Sequence, residues 1–194
     1  MAGIFWVAWG TLLVGPPLAA TLVFFTRKHR RALGLLLVSA CATVLLVLTA
    51  FLAHVEFVPR PANVVALCAA YLAYCVLAFA TGLFRRPLVK WPSTILAVAP
   101  IAFGYFLATV GILGLMFLIG DAVREPVERR AMGGRLICQV TTWDGIGDAG
   151  HWVDLYATWS PLPIQRRLHR LVSEQTSAAP PVSCADARFP RAAR

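Results

Sequence analysis

Long apolar stretches separated by short polar segments fill the first two-thirds of the chain. They run over residues 3–25, 32–58, 63–84 and 94–120. Each stretch is long enough to cross the hydrocarbon core of a bilayer, about 30 Å thick, for which a helix needs about 20 residues. The pattern therefore predicts an all-α membrane domain over residues 1–120, with four transmembrane helices in a bundle.

The composition agrees with this prediction, since 59% of the residues are hydrophobic and 14% are charged. The formal net charge of +9 would suggest a nucleic-acid partner in a soluble protein. Here, however, most basic residues before position 120 lie in the first and third loops between the spans. They are Arg27, Lys28, Arg30, Arg31, Arg85, Arg86 and Lys90. Because cytoplasmic loops carry such an excess, we predict that both termini are extracytoplasmic and expect no nucleic-acid partner.

The predicted spans contain no Asp, Lys or Arg, which argues against a transporter coupled to protons or ions. The ionisable residues within them are His54 and Glu56, near the outer end of the second span, and Arg60 follows in the loop. We interpret these three as a possible interfacial polar site that reaches headgroups and water. The alternative is that His54 and Glu56 form the catalytic pair of a membrane enzyme.

Beyond residue 120 the pattern changes from long apolar stretches to shorter ones broken by turn residues. Residues 121–134 are interpreted as a membrane-proximal linker or helix end. Residues 135–144 and 151–160 are rich in β-branched and aromatic residues and flank a glycine-rich turn, which predicts a hairpin. Residues 164–172 fit either a helix or a strand, and we favour a strand because a lone hairpin is marginal.

The tail holds two cysteines, Cys138 and Cys184, whereas the other three, Cys41, Cys68 and Cys75, lie within predicted spans. An isolated pair in an extracytoplasmic segment is a natural disulfide candidate. We therefore predict a small β-rich, disulfide-closed periplasmic domain over 135–184, built on a hairpin or a three-stranded sheet. Residues 185–194 are expected to form a loosely ordered tail.

No motif in the tail predicts chemistry. Residues Gly145–Gly150 match the G-x-G-x-x-G spacing, but no helix follows to hold a dinucleotide pyrophosphate, so they are better explained as a turn. His151 and His169 with Asp148 and Asp154 fit no ligand spacing typical of a metal site. We predict no catalytic, cofactor-binding or metal-binding residues and no cofactor.

Aromatic residues and arginines are concentrated around the predicted hairpin, and these residue types dominate binding hot spots. They are Trp143, Trp152, Tyr156, Trp159, Arg166, Arg167 and Arg170. They could bind a partner, form the core of the small domain, or rest on the membrane interface.

The sequence as a whole favours a non-enzymatic polytopic inner-membrane protein that acts by protein–protein binding. It would be an accessory subunit of an envelope complex or an immunity-type protein that blocks a membrane-active toxin. The alternative is a small oligomeric transporter, channel or lipid-handling protein. The expected partners are the lipid bilayer and another membrane or periplasmic protein, or a second copy held through small-residue helix faces. An Arg-rich, Lys-poor composition suggests a bacterial origin.

Overall fold

The computed structural model describes residues 2–84, 87–144, 149–159, 161–174, 183–185, 187 and 189. The chain forms two compact units. The first comprises Met1–Thr49 and Pro61–Ala122, and the second comprises Ala50–Arg60 and Val123–Arg194. The predicted extramembrane domain over 135–184 is thus too small, because its unit also takes in residues 50–60 and begins at Val123.

The first unit is helical and contains four long apolar helices followed by a short one. They are α1 (Ala2–Thr26), α2 (Arg30–Leu52), α3 (Arg60–Ala80), α4 (Pro87–Thr109) and α5 (Ile112–Val123). A single turn of 3-10 helix, Thr81–Leu83, follows α3. The four long helices are long and apolar enough to cross a membrane, which suggests a multi-pass membrane protein. At 12 residues, or about 18 Å of helix, α5 is too short to do so.

The core of the helical unit is small and built from residues that allow close packing. It contains Ala19, Val23, Ala40, Cys75, Val76, Ala78 and Ile101. Two aromatic side chains outside this core connect helices α1 and α4 by hydrogen bonds to backbone: the Trp9 indole N–H donates to the Ala108 carbonyl at 2.9 Å, and the Tyr105 hydroxyl donates to the Leu13 carbonyl at 2.7 Å. Large apolar side chains remain exposed on every long helix, such as Leu46 and Leu96. Exposed apolar surface of this extent is typical of a site that contacts a membrane or another protein.

Two predicted spans end differently in the structure. The second was predicted to reach Val58, but α2 ends at Leu52, so that prediction is wrong for its last six residues. His54 has a φ of 54°, a left-handed conformation that cannot continue a helix, and the chain then enters a strand. The fourth was predicted to be continuous over 94–120, but it breaks between α4 and α5 at Val110 and Gly111.

The second unit is a five-stranded antiparallel sheet, larger than the predicted hairpin or three-stranded sheet. Its strands are β1 (Val55–Phe57), β2 (Glu128–Gly133), β3 (Leu136–Asp144), β4 (Ala149–Trp159) and β5 (Ile164–Glu174). Their order across the sheet is β1-β5-β4-β3-β2. The predicted β3–β4 hairpin is present, and the ambiguous segment 164–172 is a strand. The residues 145–148 of the predicted turn lie outside the described ranges, as does most of the predicted tail 185–194.

Two strands of the sheet come from segments that the sequence pattern assigned elsewhere. Residues 121–134 were interpreted as a membrane-proximal linker or helix end; α5 does end there, at Val123, but β2 (Glu128–Gly133) occupies the second half of the segment. Gly133 and Gly134, with φ of 107° and 60°, make the turn that pairs β2 with β3, a conformation that glycine adopts readily. Strand β1 lies in the loop between α2 and α3. It forms the edge of the sheet opposite β2 and pairs there with β5.

Candidate functional site on the polar face of the sheet

The strand register gives the sheet one apolar and one polar face. On the apolar face Cys138 lies opposite Leu155, and Val140 lies opposite Val153. These residues pack against Cys184 and Phe189 of the C-terminal segment, and Leu171 lies at the border of the cluster. The predicted Cys138–Cys184 disulfide is confirmed, and it fastens this segment to β3.

The opposite face is polar and nevertheless buried. It carries Gln139 and Thr141 from β3, Asp154 and Tyr156 from β4, and Gln165 from β5, each no more than 3% exposed. A buried polar group without a hydrogen bond destabilises a fold by about 1–3 kcal/mol, so the partners of these side chains decide whether the face is stable.

A bidentate ion pair occupies the centre of the polar face. Arg170 donates from Nε to Oδ1 of Asp154 at 2.7 Å and from Nη2 to Oδ2 at 2.8 Å. The hydrogen bond to Asp154 is the main reason that the pKa of Arg170 is raised above its ordinary value. The guanidinium also lies 4.6 Å from the ring centre of Trp152, a cation–π contact. Asp154 therefore has its charge compensated although its side chain is buried.

Tyr156 connects this ion pair to the segment between α2 and α3. Its hydroxyl donates to Oδ2 of Asp154 at 3.3 Å. Burial raises the pKa of Tyr156 far above its ordinary value, and the nearby negative charges of Glu56 and Asp154 raise that pKa further, while Arg60 lowers it. At neutral pH the phenol is therefore a hydrogen-bond donor and cannot act as a base.

Glu56 and Arg60 thus belong to the same polar face as Tyr156. Glu56 lies opposite Gln165 in the β1–β5 register. Gln165 accepts a hydrogen bond from Nε2 of Gln139 at 3.1 Å, and Arg60 donates to Oε1 of Gln139 at 3.4 Å. Oε1 of Glu56 is buried with no hydrogen-bond partner among the described residues.

His54, the third residue of the predicted interfacial polar site, points to a different partner. Its side chain is exposed, and Nδ1 lies 3.2 Å from Nη2 of Arg167. Because arginine can only donate, Nδ1 accepts this hydrogen bond and must be unprotonated. The structure therefore gives His54 and Glu56 different partners.

The seven predicted partner-binding residues divide into interior and surface positions. Tyr156 is fully buried, and Arg170 is held by Asp154. Trp152 contacts Arg170 on β5 and stacks on Trp143, with the two ring centroids 6.2 Å apart. Trp143 can lie flat because position 150 is glycine, where a Cβ would be 2.7 Å from its ring.

The surface members of that set lie towards one end of the sheet. Trp159 is 37% exposed, and Arg166 is exposed on β5. Arg167 is half-buried beside His54. A contact with another molecule could therefore involve Trp159 and Arg166 directly, but not Tyr156.

No cluster of three or more metal-ligating side chains is present among the described residues. His151 and His169 lie on the apolar face, where His169 packs edge-on against Phe189, whereas Asp154 lies on the polar face. The sheet therefore separates His151 and His169 from Asp154. Asp148 lies outside the described ranges.

Sequence reasoning missed Gln139, Thr141 and Gln165 as members of the polar face. A signal for the first two was present, since Gln139 and Thr141 alternate with Cys138 and Val140 in the pattern of a two-faced strand. Two buried polar residues on β3 beside Asp154 and Tyr156 on β4 then indicate a polar layer. Gln165 gave no comparable signal.

No known protein family, no curated protein and no solved structure matches this chain. The function must therefore be argued from the geometry of the two units.

Proposed function

We propose that this chain is a non-enzymatic multi-pass protein of a bacterial inner membrane, and that it acts by binding another protein through its sheet unit. The observation that carries this proposal is the outer strand β2, which is exposed from Arg129 to Gly133 on a sheet closed by a disulfide. An open strand edge on a rigid sheet is a common site of protein recognition. The complex would be an envelope assembly, or a toxin neutralised by an immunity-type protein.

The internal chemistry of the sheet supports binding over catalysis. Asp154 and Arg170 compensate each other's charge, and Tyr156 is protonated at neutral pH. Asp154 and Tyr156 are buried, and Asp154 accepts hydrogen bonds from Tyr156 and from the partly exposed Arg170, as expected for a network that holds strands together. A catalytic pair would need an ionisable group that reaches substrate.

Three observations support a periplasmic sheet and periplasmic termini. Because β1 pairs with β5, both lie on one side of the membrane, so the chain between them must cross an even number of times. Helices α3 and α4 supply those two crossings. The basic first and third loops then lie on the opposite side, as cytoplasmic loops do, and the disulfide lies on the oxidising side.

The alternative, a lipid-handling or transporting protein, is favoured by one feature of the helical unit. An apolar cavity of about 280 Å³ lies between α1, α3 and α5, lined in part by Thr11, Cys68 and Tyr71. Its volume is just below the range of about 300–1,000 Å³ that is usual for small-molecule sites. Mass spectrometry of lipid that co-purifies with the protein tests this alternative: a stoichiometric lipid lost in Cys68→Trp but kept in Cys41→Trp would support it.

The proposal itself is tested by isolating the full chain from its native membrane in a mild detergent. We expect one other protein at fixed stoichiometry, bound on the periplasmic side. An impermeant maleimide should label Arg130→Cys in intact cells, and Lys28→Cys only after the membrane is opened, in a background in which Cys41, Cys68 and Cys75 are replaced by serine. A protein that is monodisperse and alone at every detergent concentration contradicts the proposal.

If the complex is an immunity complex, cells that carry the chain should survive a membrane-active toxin encoded beside it, and cells without the chain should not. If it is an envelope assembly, the partner should be present without any toxin. The two outcomes separate the two kinds of complex.

A further inference from the structure

The outer edge of β2 is the longer of the two edges that the sheet presents. Strand β2 has six residues, Glu128–Gly133, against three in β1 at the other side. Within the described ranges β2 pairs with β3 alone, and its residues from Arg129 onward are exposed. Among the described residues, no strand pairs with the outer side of β2, so its backbone groups there can accept an added strand.

The exposed charges on β2 are both positive and lie on both faces of the edge. Arg129 is in register with Gln139 of the polar face, and Arg130 is in register with Cys138 of the apolar face. The acidic residue of the strand, Glu128, accepts a hydrogen bond from the Cys184 backbone N–H at 3.0 Å and is thereby held by the C-terminal segment. A strand added at this edge would meet a guanidinium above and another below.

This arrangement disfavours a second copy as the added strand. If two β2 strands met side by side, four arginines would be brought together, and like charges across a strand pair are destabilising. An extended segment with acidic residues at adjacent positions would instead place one on each face, where each meets an opposite charge.

We propose that the outer edge of β2 binds an extended acidic segment of another protein as a sixth strand of the sheet. This inference rests on the proposed binding function and names its surface and the chemistry of its partner. Backbone hydrogen bonds supply the attachment, and Arg129 and Arg130 select for acidic side chains.

The experiment places a photoreactive amino acid at Ala131 in the full-length chain, in native membranes, and identifies the cross-linked segment by mass spectrometry. Ala131 is exposed on β2 between Arg130 and Met132. We expect a segment of another protein with two or more Asp or Glu residues. The yield should fall about tenfold in R129E/R130E, because two attractive contacts become repulsive. It should not change in R31E, which reverses the charge of an exposed arginine on α2.

Folding of the charge-reversed chain is checked by its intact Cys138–Cys184 disulfide, and R129Q/R130Q, which only removes charge, should give an intermediate yield. Cross-linking to a second copy, to lipid alone, or to a segment without acidic residues overturns the inference. So does a yield that R129E/R130E leaves unchanged. If the complex forms but cross-links only from Trp159, this inference fails and the proposed function stands. If no complex forms at all, the proposed function itself fails.

Discussion

The backbone N–H of Arg167 donates to the carbonyl oxygen of His54 at 3.0 Å, across 113 residues of sequence. A second bond joins the same two segments, from the Val58 N–H to the Pro163 carbonyl at 2.9 Å. The short loop between α2 and α3 is thus an integral strand of the sheet. It also brings Glu56 to Tyr156, so the polar face cannot be complete without it.

This pairing predicts a cross-link that forms spontaneously. In an antiparallel ladder, hydrogen-bonded pairs alternate with pairs that have no mutual hydrogen bonds. His54 and Val58 belong to hydrogen-bonded pairs, so Phe57 and Ile164 form a pair of the second kind, whose side chains approach closely. In a chain whose Cys41, Cys68 and Cys75 are serine, F57C/I164C should form a disulfide under oxidising conditions. A gel-mobility shift with and without reductant measures it.

The matched control is F57C/L136C, since Leu136 lies on β3, two strands further across the sheet from β5. This pair should not cross-link. Equal cross-linking of both pairs would contradict the β1–β5 register, and no cross-link in either would contradict the placement of β1 in the sheet.

The ion pair between Asp154 and Arg170 should be important for stability of the sheet. Asp154→Asn leaves the Arg170 guanidinium without its counter-charge, and we expect the free energy of unfolding to fall by about 2–3 kcal/mol. The loss is below that of a fully buried pair because the Arg170 side chain is 32% exposed. Hydrogen exchange of the β4 amides measures it, as a fall in protection of about 30- to 150-fold.

Glu125→Gln serves as the control, because it makes the same chemical change at an exposed carboxylate and should cost less than about 0.5 kcal/mol. Equal protection in the two variants would show that the ion pair does not stabilise the sheet.

Tyr156 should make the sheet sensitive to alkaline pH. Its folded pKa is raised above the ordinary value of 10.0, mainly by burial. The neutral phenol is therefore favoured by folding, so its contribution to stability is complete below pH 10 and is lost as the pH rises from there toward the folded pKa.

The free energy of unfolding should fall in this window by up to about 1.4 kcal/mol per pH unit more in the native chain than in Tyr156→Phe. Denaturant unfolding at several pH values between 8 and 11.5 measures the two slopes. Parallel slopes would mean that the phenol is equally able to ionise in the folded and unfolded chain.

The disulfide between Cys138 and Cys184 should contribute strongly to the stability of the sheet unit, because it holds the C-terminal segment over the apolar face. For a sequence separation of 46 residues, loop-closure entropy gives a stabilisation against unfolding of about 4 kcal/mol. Replacing both cysteines by serine should lower the denaturant midpoint of the sheet accordingly. Cys41→Ser, at an exposed free cysteine of α2, should leave that midpoint unchanged. A loss under about 1 kcal/mol would mean that Phe189 and its neighbours hold the segment without the covalent bond.

Much of the architecture could be predicted from local pattern. The four apolar helices follow from stretches of about 20 residues, and the two faces of β4 follow from the alternation of Val153 and Leu155 with Asp154 and Tyr156. The disulfide follows from the isolation of two cysteines in the tail. The first two signals each lie within a single element, and the third needs only the positions of the cysteines along the chain, so no knowledge of strand pairing is needed.

The ends of elements and the membership of the polar face could not be predicted in this way. Residues 53–58 read as the end of an apolar span because Val55, Phe57 and Val58 are as apolar as a helix interior. What converts them to a strand is pairing with β5, more than 100 residues away. Likewise β2, with two arginines and a methionine, has little strand preference of its own and is held by β3.

The sequence by itself determined which segments are apolar enough for a membrane, which face of β4 is polar, and which cysteines can pair. The first two properties depend on side-chain chemistry at fixed spacings along one segment, and the third depends on where the cysteines lie in the chain. Only the tertiary structure decided that Glu56 and Arg60 join Tyr156, Asp154 and Arg170, and that Arg129 and Arg130 flank an open edge. The reason is that strand pairing is a hydrogen-bond interaction between distant segments, and its register and partner are fixed only when the whole sheet has formed.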